Sequence, residues 1–414
     1  MSVDYDVTVI GGGASGMMCA LRCARAGLRV LLLEKEILLG RKILVTGNGR
    51  CNFTNINASG DKYYGDGKFA ETVLKIFPAR ACLKFFDDLG LLYREEGEGR
   101  YFPITGKSAS VNDCFAAALL FAGADIKCKC EALKAYKTEG GFKVECSDGA
   151  KYCSKFLVLA CGGAAYPQVS GSMKGYDLAR SFGHKIINPR PALSAIDLKE
   201  NAVSRLAGLK LYCAASLSDN PQQREEGEVT FGAKGVGGNN ILTLSRQAQS
   251  GDKLILDFMP QFSAAEFKAL LKERAAKYPS FKIKELFTGI LPAPLYNLLM
   301  DYAGLRKNTL LVEINDNIFD RIVSTVKGWP FTVAGIRSFK EASCTAGGVS
   351  AGEVSPERCE SKLVKGLYIT GELLDIDGHC GGYNLQFAWA SGYAASEAIE
   401  VEYGKSNSKK NKGS

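Results

Sequence analysis

Histidine is nearly missing from this chain of 414 residues: only His184 and His379 occur. A histidine-built metal centre is therefore excluded. The 14 cysteines do not replace it, because they are scattered and form no C-x-x-C pair. The nearest spacings are Cys128-x-Cys130 and Cys19 with Cys23 one helical turn apart. Neither suits zinc, an iron–sulfur cluster or a redox-active dithiol, so no metal site is expected and enzymes that work through a reactive disulfide are set aside. So many free thiols fit a reducing compartment. Long apolar runs are missing too. The longest, Phe115 to Ala124, is too short to span a bilayer, and the acidic N-terminus lacks the basic and apolar regions of a signal peptide, so a cytoplasmic location and no membrane partner are expected. Charge excess is modest. Of the net +8, four charges are Lys405, Lys409, Lys410 and Lys412 in a polar stretch, Gly404 to Ser414, that is expected to be a disordered basic tail. The remainder is mildly basic and has no aromatic-interleaved face, so no nucleic-acid partner is expected.

Glycine, by contrast, is abundant and well placed. The apolar run Val7 to Ile10 leads into Gly11-Gly12-Gly13-Ala14-Ser15-Gly16, a helix is predicted from about Ala14 to Ala26, and a strand from Arg29 to Leu33 closes on Glu34 and Lys35. Strand, loop, helix, strand and terminal acid in this order form a dinucleotide grip. The glycines let backbone touch a pyrophosphate, the helix N-terminus offers its dipole, and the acid accepts hydrogen bonds from ribose hydroxyls. An acid rather than an arginine at that position disfavours a ribose phosphate.

Which dinucleotide binds is decided further along. Ser108 to Ala122 has helical periodicity; Asp125 to Cys130, Ala132 to Lys137, Phe142 to Cys146 and Lys151 to Ser154 alternate like short strands. A return strand, Phe156 to Ala160, ends in Cys161-Gly162-Gly163, where Gly162 and Gly163 would bring backbone close to the cofactor. From Pro189-Arg190-Pro191 the character changes. Residues 191–335 read as an inserted domain, β-rich over 191–260 and 308–335 and helical over 261–307, with a further helix predicted over Asn317 to Lys327. The nucleotide-domain pattern then resumes over 336–403, completing the domain begun in 1–190. A strand from Gly366 to Thr370 delivers Gly371-Glu372-Leu373-Leu374-Asp375, and Gly381-Gly382-Tyr383-Asn384-Leu385-Gln386 opens a helix to about Glu400. A carboxylate there can reach a ribityl hydroxyl, and the helix N-terminus can face the flavin N1 and C2 carbonyl. NAD needs no such second half. The expected class is therefore α/β, an FAD-binding Rossmann-like three-layer domain split by an insert.

The run Gly40-Arg41-Lys42-Ile43-Leu44-Val45-Thr46-Gly47-Asn48-Gly49-Arg50-Cys51-Asn52-Phe53-Thr54-Asn55 closely resembles the signature of the bacterial YhiN-type NAD(P)/FAD-dependent oxidoreductases, a family that includes BaiN-like 3-dehydro-bile acid reductases. The resemblance continues at Gly99 to Pro103, Tyr166-Pro167, Gly183-His184, Cys344 to Val349, and from Gly371-Glu372 through Gly392. It implies FAD in the split domain, with Arg41, Lys42, Arg50, Cys51 and Asn52 near the flavin or its phosphates, and an insert made of a small β-barrel plus a helical cap. The glycines around Asn48, Gly47 and Gly49, would let backbone pass the isoalloxazine edge; Asn48, Ala132, Ala160 and Asp375 complete the candidate cofactor set. Two segments depart from the family pattern. Phe231 to Asn239 lacks its histidine and proline, and Ser170-Gly171-Ser172-Met173-Lys174-Gly175-Tyr176-Asp177 replaces a Gly-Ser-x-Gly-Asp-Gly-like stretch.

Catalysis must come from few parts. His379 and Tyr383, beside the flavin-facing helix, are the candidate proton donors, whereas His184 reads as structural. Reduced FAD delivers hydride to an electrophilic carbon, so an alkene conjugated to a carbonyl is the expected substrate, and the resemblance implies a 3-oxo bile-acid or steroid enone, apolar with an anionic group accommodated. NAD(P)H would visit transiently as donor, because Gly232 to Gly238 lacks the strand, helix and acid of a second dinucleotide site. Two alternatives stand beside this. One is an amine oxidase of the aminoacetone type using oxygen; the other is a flavin-carrying, RNA-associated protein without turnover of its own. Oligomeric state is left open by the sequence.

Overall fold

The computed structural model describes residues 4–410, with side chains described through residue 405. The chain forms two compact units, one joining the segment up to Ala192 with the segment from Phe339 onward, the other comprising Leu193–Ser338.

The first unit is organised by a seven-stranded sheet. Its strands are β1 (Tyr5–Ile10), β2 (Val30–Leu33), β3 (Asp125–Lys127), β4 (Ala132–Thr138), β5 (Gly141–Cys146), β6 (Lys151–Leu159) and β7 (Leu367–Ile369). Strands β3, β2, β1, β6 and β7 lie side by side and parallel, which is the Rossmann order. Strand β1 is buried along nearly its whole length, as a parallel strand covered on both faces must be. The expected strands Lys151 to Ser154 and Phe156 to Ala160 are one strand. Its first half pairs antiparallel with β5 and its second half parallel with β1 and β7, so a change of partners at Lys155 reads in sequence as a break.

Helix α1 (Ala14–Arg25) follows β1, the short α2 (Arg41–Val45) follows β2, and α3 (Tyr383–Lys410) closes the unit. Helices α1 and α3 meet at backbone distance: a Cβ on Gly392 would lie 2.2 Å from the Ser15 carbonyl oxygen. Helix α3 continues to Lys410, where the polar composition from Gly404 leads one to expect disorder; extending an existing helix adds one hydrogen bond per residue fixed, and residues 411–414 lie outside the described residues. Between α2 and β3 the chain adds the helices Gly67–Ile76, Ala79–Asp88 and Ala109–Phe121 and a small sheet of Thr54–Asn55, Arg100–Pro103 and Tyr93–Glu95.

The second unit holds a closed six-stranded barrel of Ile196–Leu198, Gly235–Gly237, Asn220–Phe231, Lys210–Leu217, Lys253–Asp257 and Trp329–Ile336. Closure removes every exposed strand edge. Helices Ala264–Lys277, Ala293–Tyr302 and Asp316–Lys327 share a core with it built on Phe267, Leu299, Ile322 and Trp329. The last of these is the helix predicted over Asn317 to Lys327, inside the 308–335 segment otherwise expected to be β-rich. Among the described residues no helix is long and apolar enough to cross a membrane.

Candidate functional site

Helix α1 begins at Ala14 with Gly13 as its N-cap and no side-chain cap. Its first N–H groups therefore stay open, and Gly13, Ala14 and Ser15 line a cleft in the first unit. Two glycines of the loop are fixed by crowding. A Cβ on Gly11 (φ +107°) would sit 2.4 Å from the Ala160 carbonyl oxygen, and one on Gly16 would sit 1.9 Å from the Gly11 carbonyl oxygen. Gly13 and Gly162 differ, because nothing lies within 4 Å of either Cβ position. At these two places backbone faces open space.

Glu34, at the end of β2, is buried, yet it lines the cleft. Its Oε2 accepts the Gly12 N–H at 2.7 Å and its Oε1 accepts the Glu36 N–H at 2.9 Å. Burial raises its pKa, and those two N–H bonds oppose the rise. Each oxygen retains acceptor capacity for a hydroxyl donor. Across the cleft, Lys42 Nζ lies 3.0 and 2.9 Å from the two carboxylate oxygens of Glu372, which also accepts the Thr345 N–H. This pair joins the early and late halves of the unit. Arg41 lines the cleft bonded to Glu36, and Lys35, Ala132, Ala160, Asn384 and Leu385 complete the expected residues brought there.

Other expected residues are placed elsewhere. Gly16 works inside α1 and Gly163 packs against Glu372 and Thr345; neither lines the cleft. Asn48 and Gly49 belong to a short turn over Thr46–Gly49, and Arg50 pairs with Glu96 while its guanidinium lies 4.7 Å over the Phe102 ring. Cys51 is fully buried and burial pushes its thiol up to about 12, so it is no reactive nucleophile. Asn52 Oδ1 is buried without a partner, and a Cβ on Gly382 would lie 2.7 Å from it. Gly371 donates its N–H to Ser391, and the Asp375 N–H goes to the Val349 carbonyl. His379 stacks on Tyr64 with ring centroids 5.3 Å apart, and the Tyr383 ring is buried with its carbonyl accepting the Tyr63 hydroxyl. Neither lines the cleft, although the next residues after Tyr383 do. His184 is buried between Glu353 and Ser361.

The cleft also has a wall that motif reading does not supply. Ser170, Ser172, Lys174 and Gly175 lie on it, with Lys174 paired to Glu131 at 2.7 Å. The signal was the departure of this stretch from the family pattern. Thr46, Cys130, Cys161 and Ser343 also line the cleft and carried no comparable signal.

These residues fit FAD. An uncapped helix N-terminus suits the pyrophosphate, the open Gly13 and Gly162 positions admit a ligand against backbone, and Glu34 stands where a ribose diol would be held.

Comparison with known proteins agrees. Residues 5–398 match the HI0933-like protein Rossmann domain family. The chain is 35% identical, over 95% of its length and 98% of the relative's, to the 3-dehydro-bile acid delta(4,6)-reductase of Clostridium scindens. It is 28% identical, over 95% of its length and 98% of the relative's, to the ribosomal RNA dihydrouridine synthase of Escherichia coli. In fold it is similar to the 3-ketosteroid-delta4-(5alpha)-dehydrogenase of Rhodococcus jostii RHA1, with a TM-score of 0.50 and 13% identity over 97% of this chain and 98% of that one. Cradle, topology and full-length similarity converge: the chain belongs to the HI0933-like family of Rossmann-type flavin oxidoreductases.

Proposed function

We propose that the protein is an NAD(P)H-linked ene-reductase that saturates a C=C bond conjugated to a carbonyl, with a 3-oxo bile acid or related steroid enone as the first candidate substrate. The observation that carries this reading is the 35% identity, along nearly the whole of both chains, to a relative named as a 3-dehydro-bile acid reductase. A second relative points to the same reaction class. Dihydrouridine is uridine with its C5=C6 bond saturated, and that bond is conjugated to the C4 carbonyl. The names of the C. scindens and E. coli relatives thus describe one chemistry on two substrates.

When bound and reduced, FAD supplies hydride to the β-carbon of such a system. The chain's own residues do the rest. The α1 N-terminus and Lys42 offset phosphate charge, Glu34 holds ribose hydroxyls, and Glu372 orients Lys42. For the α-proton the candidates are Tyr383 or His379, whose rings lie 6.2 Å apart; both sit off the cleft, next to its lining residues Asn384 and Leu385. Among the described residues the one dinucleotide cradle is given to FAD, so the nicotinamide is taken as a transient donor.

A second reading, reduction of a uridine in ribosomal RNA, is favoured by the E. coli relative. One anaerobic experiment separates the two. Purified flavoprotein is mixed with NADH or NADPH and either an oxo bile-acid enone or unmodified ribosomal RNA. Nicotinamide oxidation that requires the enone supports the first reading, dihydrouridine in the RNA supports the second, and flavin reduction by an amine with no nicotinamide oxidation by either acceptor overturns both.

A further inference from the structure

Cys130, Cys146 and Asp148 are far from any metal-binding motif in sequence, yet their ligand atoms all lie within 4.8 Å of one another. The sheet brings them there. Cys146 ends β5 opposite Ala132, the first residue of β4, and Cys130 lies two residues before that strand. Reciprocal bonds hold the two segments: the Ser147 N–H donates to the Glu131 carbonyl, and the Glu131 N–H donates to Ser147 Oγ. Asp148 sits in the β5–β6 turn, where its Oδ1 accepts the Ala150 N–H at 3.0 Å. Its Oδ2 is left to face Cys130 Sγ at 3.8 Å.

We propose that Cys130, Cys146 and Asp148 form a zinc site beside the cofactor cleft. Two soft sulfurs and one carboxylate are a zinc donor set, and the ligand edge fits: tetrahedral zinc with usual bond lengths separates a sulfur from an oxygen ligand by about 3.6 Å. Both cysteines are buried and Asp148 is exposed, so water takes the fourth position. Binding forms two Zn–S bonds and one Zn–O bond and releases two thiol protons to solvent. The Ala150 N–H on Oδ1 is the outer contact that orients the carboxylate. The ion would brace the cleft wall, because Cys130, Glu131 and Ala132 line the cleft and the Cys130 N–H is bonded to the Glu34 carbonyl.

The test uses the flavin-loaded protein, stripped of metal by a chelator and titrated with Zn²⁺ against a chromogenic competitor. One equivalent is expected, and Co²⁺ in its place should give thiolate-to-cobalt charge-transfer absorption in the difference spectrum. The Cys130→Ser/Cys146→Ser protein should lose both signals, while Cys153→Ser keeps them. Asp148→Asn guards against misfolding, since asparagine retains the Oδ1 acceptor for Ala150; it should weaken Zn²⁺ binding by about tenfold or more. Failure of the parent protein to bind Zn²⁺, binding unchanged in both ligand variants, or a disulfide in place of the free thiols would overturn the proposal.

Discussion

Two glycine-rich segments of this chain, residues 11–16 and 232–238, look alike in composition and do different work. In the first, Gly11 and Gly16 let a strand, a loop and a helix touch at backbone distance, while Gly13 opens onto a cleft. In the second, a Cβ on Gly235 would lie 2.0 Å from the Ile196 carbonyl oxygen and one on Gly238 would lie 2.0 Å from the Glu228 carbonyl oxygen. Those glycines close a barrel. A glycine cluster therefore says only that backbones meet. Contrary to the sequence expectation, the second segment also follows a strand, Asn220–Phe231, and leads into an uncapped helix, Asn239–Ser245. Its strands pair antiparallel in the barrel, however, whereas the first has parallel strands and an open Gly13 position.

Substitutions can separate the two roles. Gly16→Ala should have the largest effect, because its Cβ meets backbone at 1.9 Å: about 3 kcal/mol of stability lost, read by denaturant unfolding, together with bound flavin. Gly235→Ala should destabilise by about 1–3 kcal/mol while the folded fraction keeps its full flavin content; loss of flavin from folded protein would erase the distinction. Gly13→Ala inverts that result. With nothing within 4 Å, its stability should stay within about 0.5 kcal/mol of the parent, yet FAD affinity, measured by fluorescence titration, should fall about tenfold. Unaltered affinity would remove Gly13 from contact with the cofactor.

The smallest expected effect is a pH dependence away from both clusters. Burial lowers the pKa of His184 below the ordinary 6.5, and Glu353 only partly opposes this. The unfolded chain thus takes up the proton first. The contribution of His184 to stability is fully present above pH 6.5 and is lost as pH falls through its lower folded value. His184→Gln should flatten the acid limb of a Tm-against-pH curve, and an unchanged limb would show that other groups set it.

How much of this was legible in the sequence follows from the range of the interactions. β1, α1, β2 and Glu34 are consecutive, so turn chemistry and periodicity locate them within a residue or two. The helices Gly67–Ile76 and Ala79–Asp88 carry a clear signal as well, with Asp66 capping the first and Phe69, Ala70, Val73 and Leu74 at helical spacing, although motif reading overlooks them. Partner choice is another matter. That Arg50 turns to Glu96 and Phe102, or that Cys130 meets Cys146 and Asp148, depends on strand pairings that no local pattern encodes. The barrel closes through Ile196–Leu198 against Trp329–Ile336, a pairing across most of the second unit.

The late position of β7 and α3 has a consequence for synthesis. Strand β6 has no β7 beside it, and Lys42 has no Glu372 to meet, until residues 367–372 have left the ribosome. The residues between have by then had time to fold, since domains generally fold as units while translation proceeds. The two sides of the cleft, Lys42 and Glu372, can therefore meet only after the whole second unit has been made.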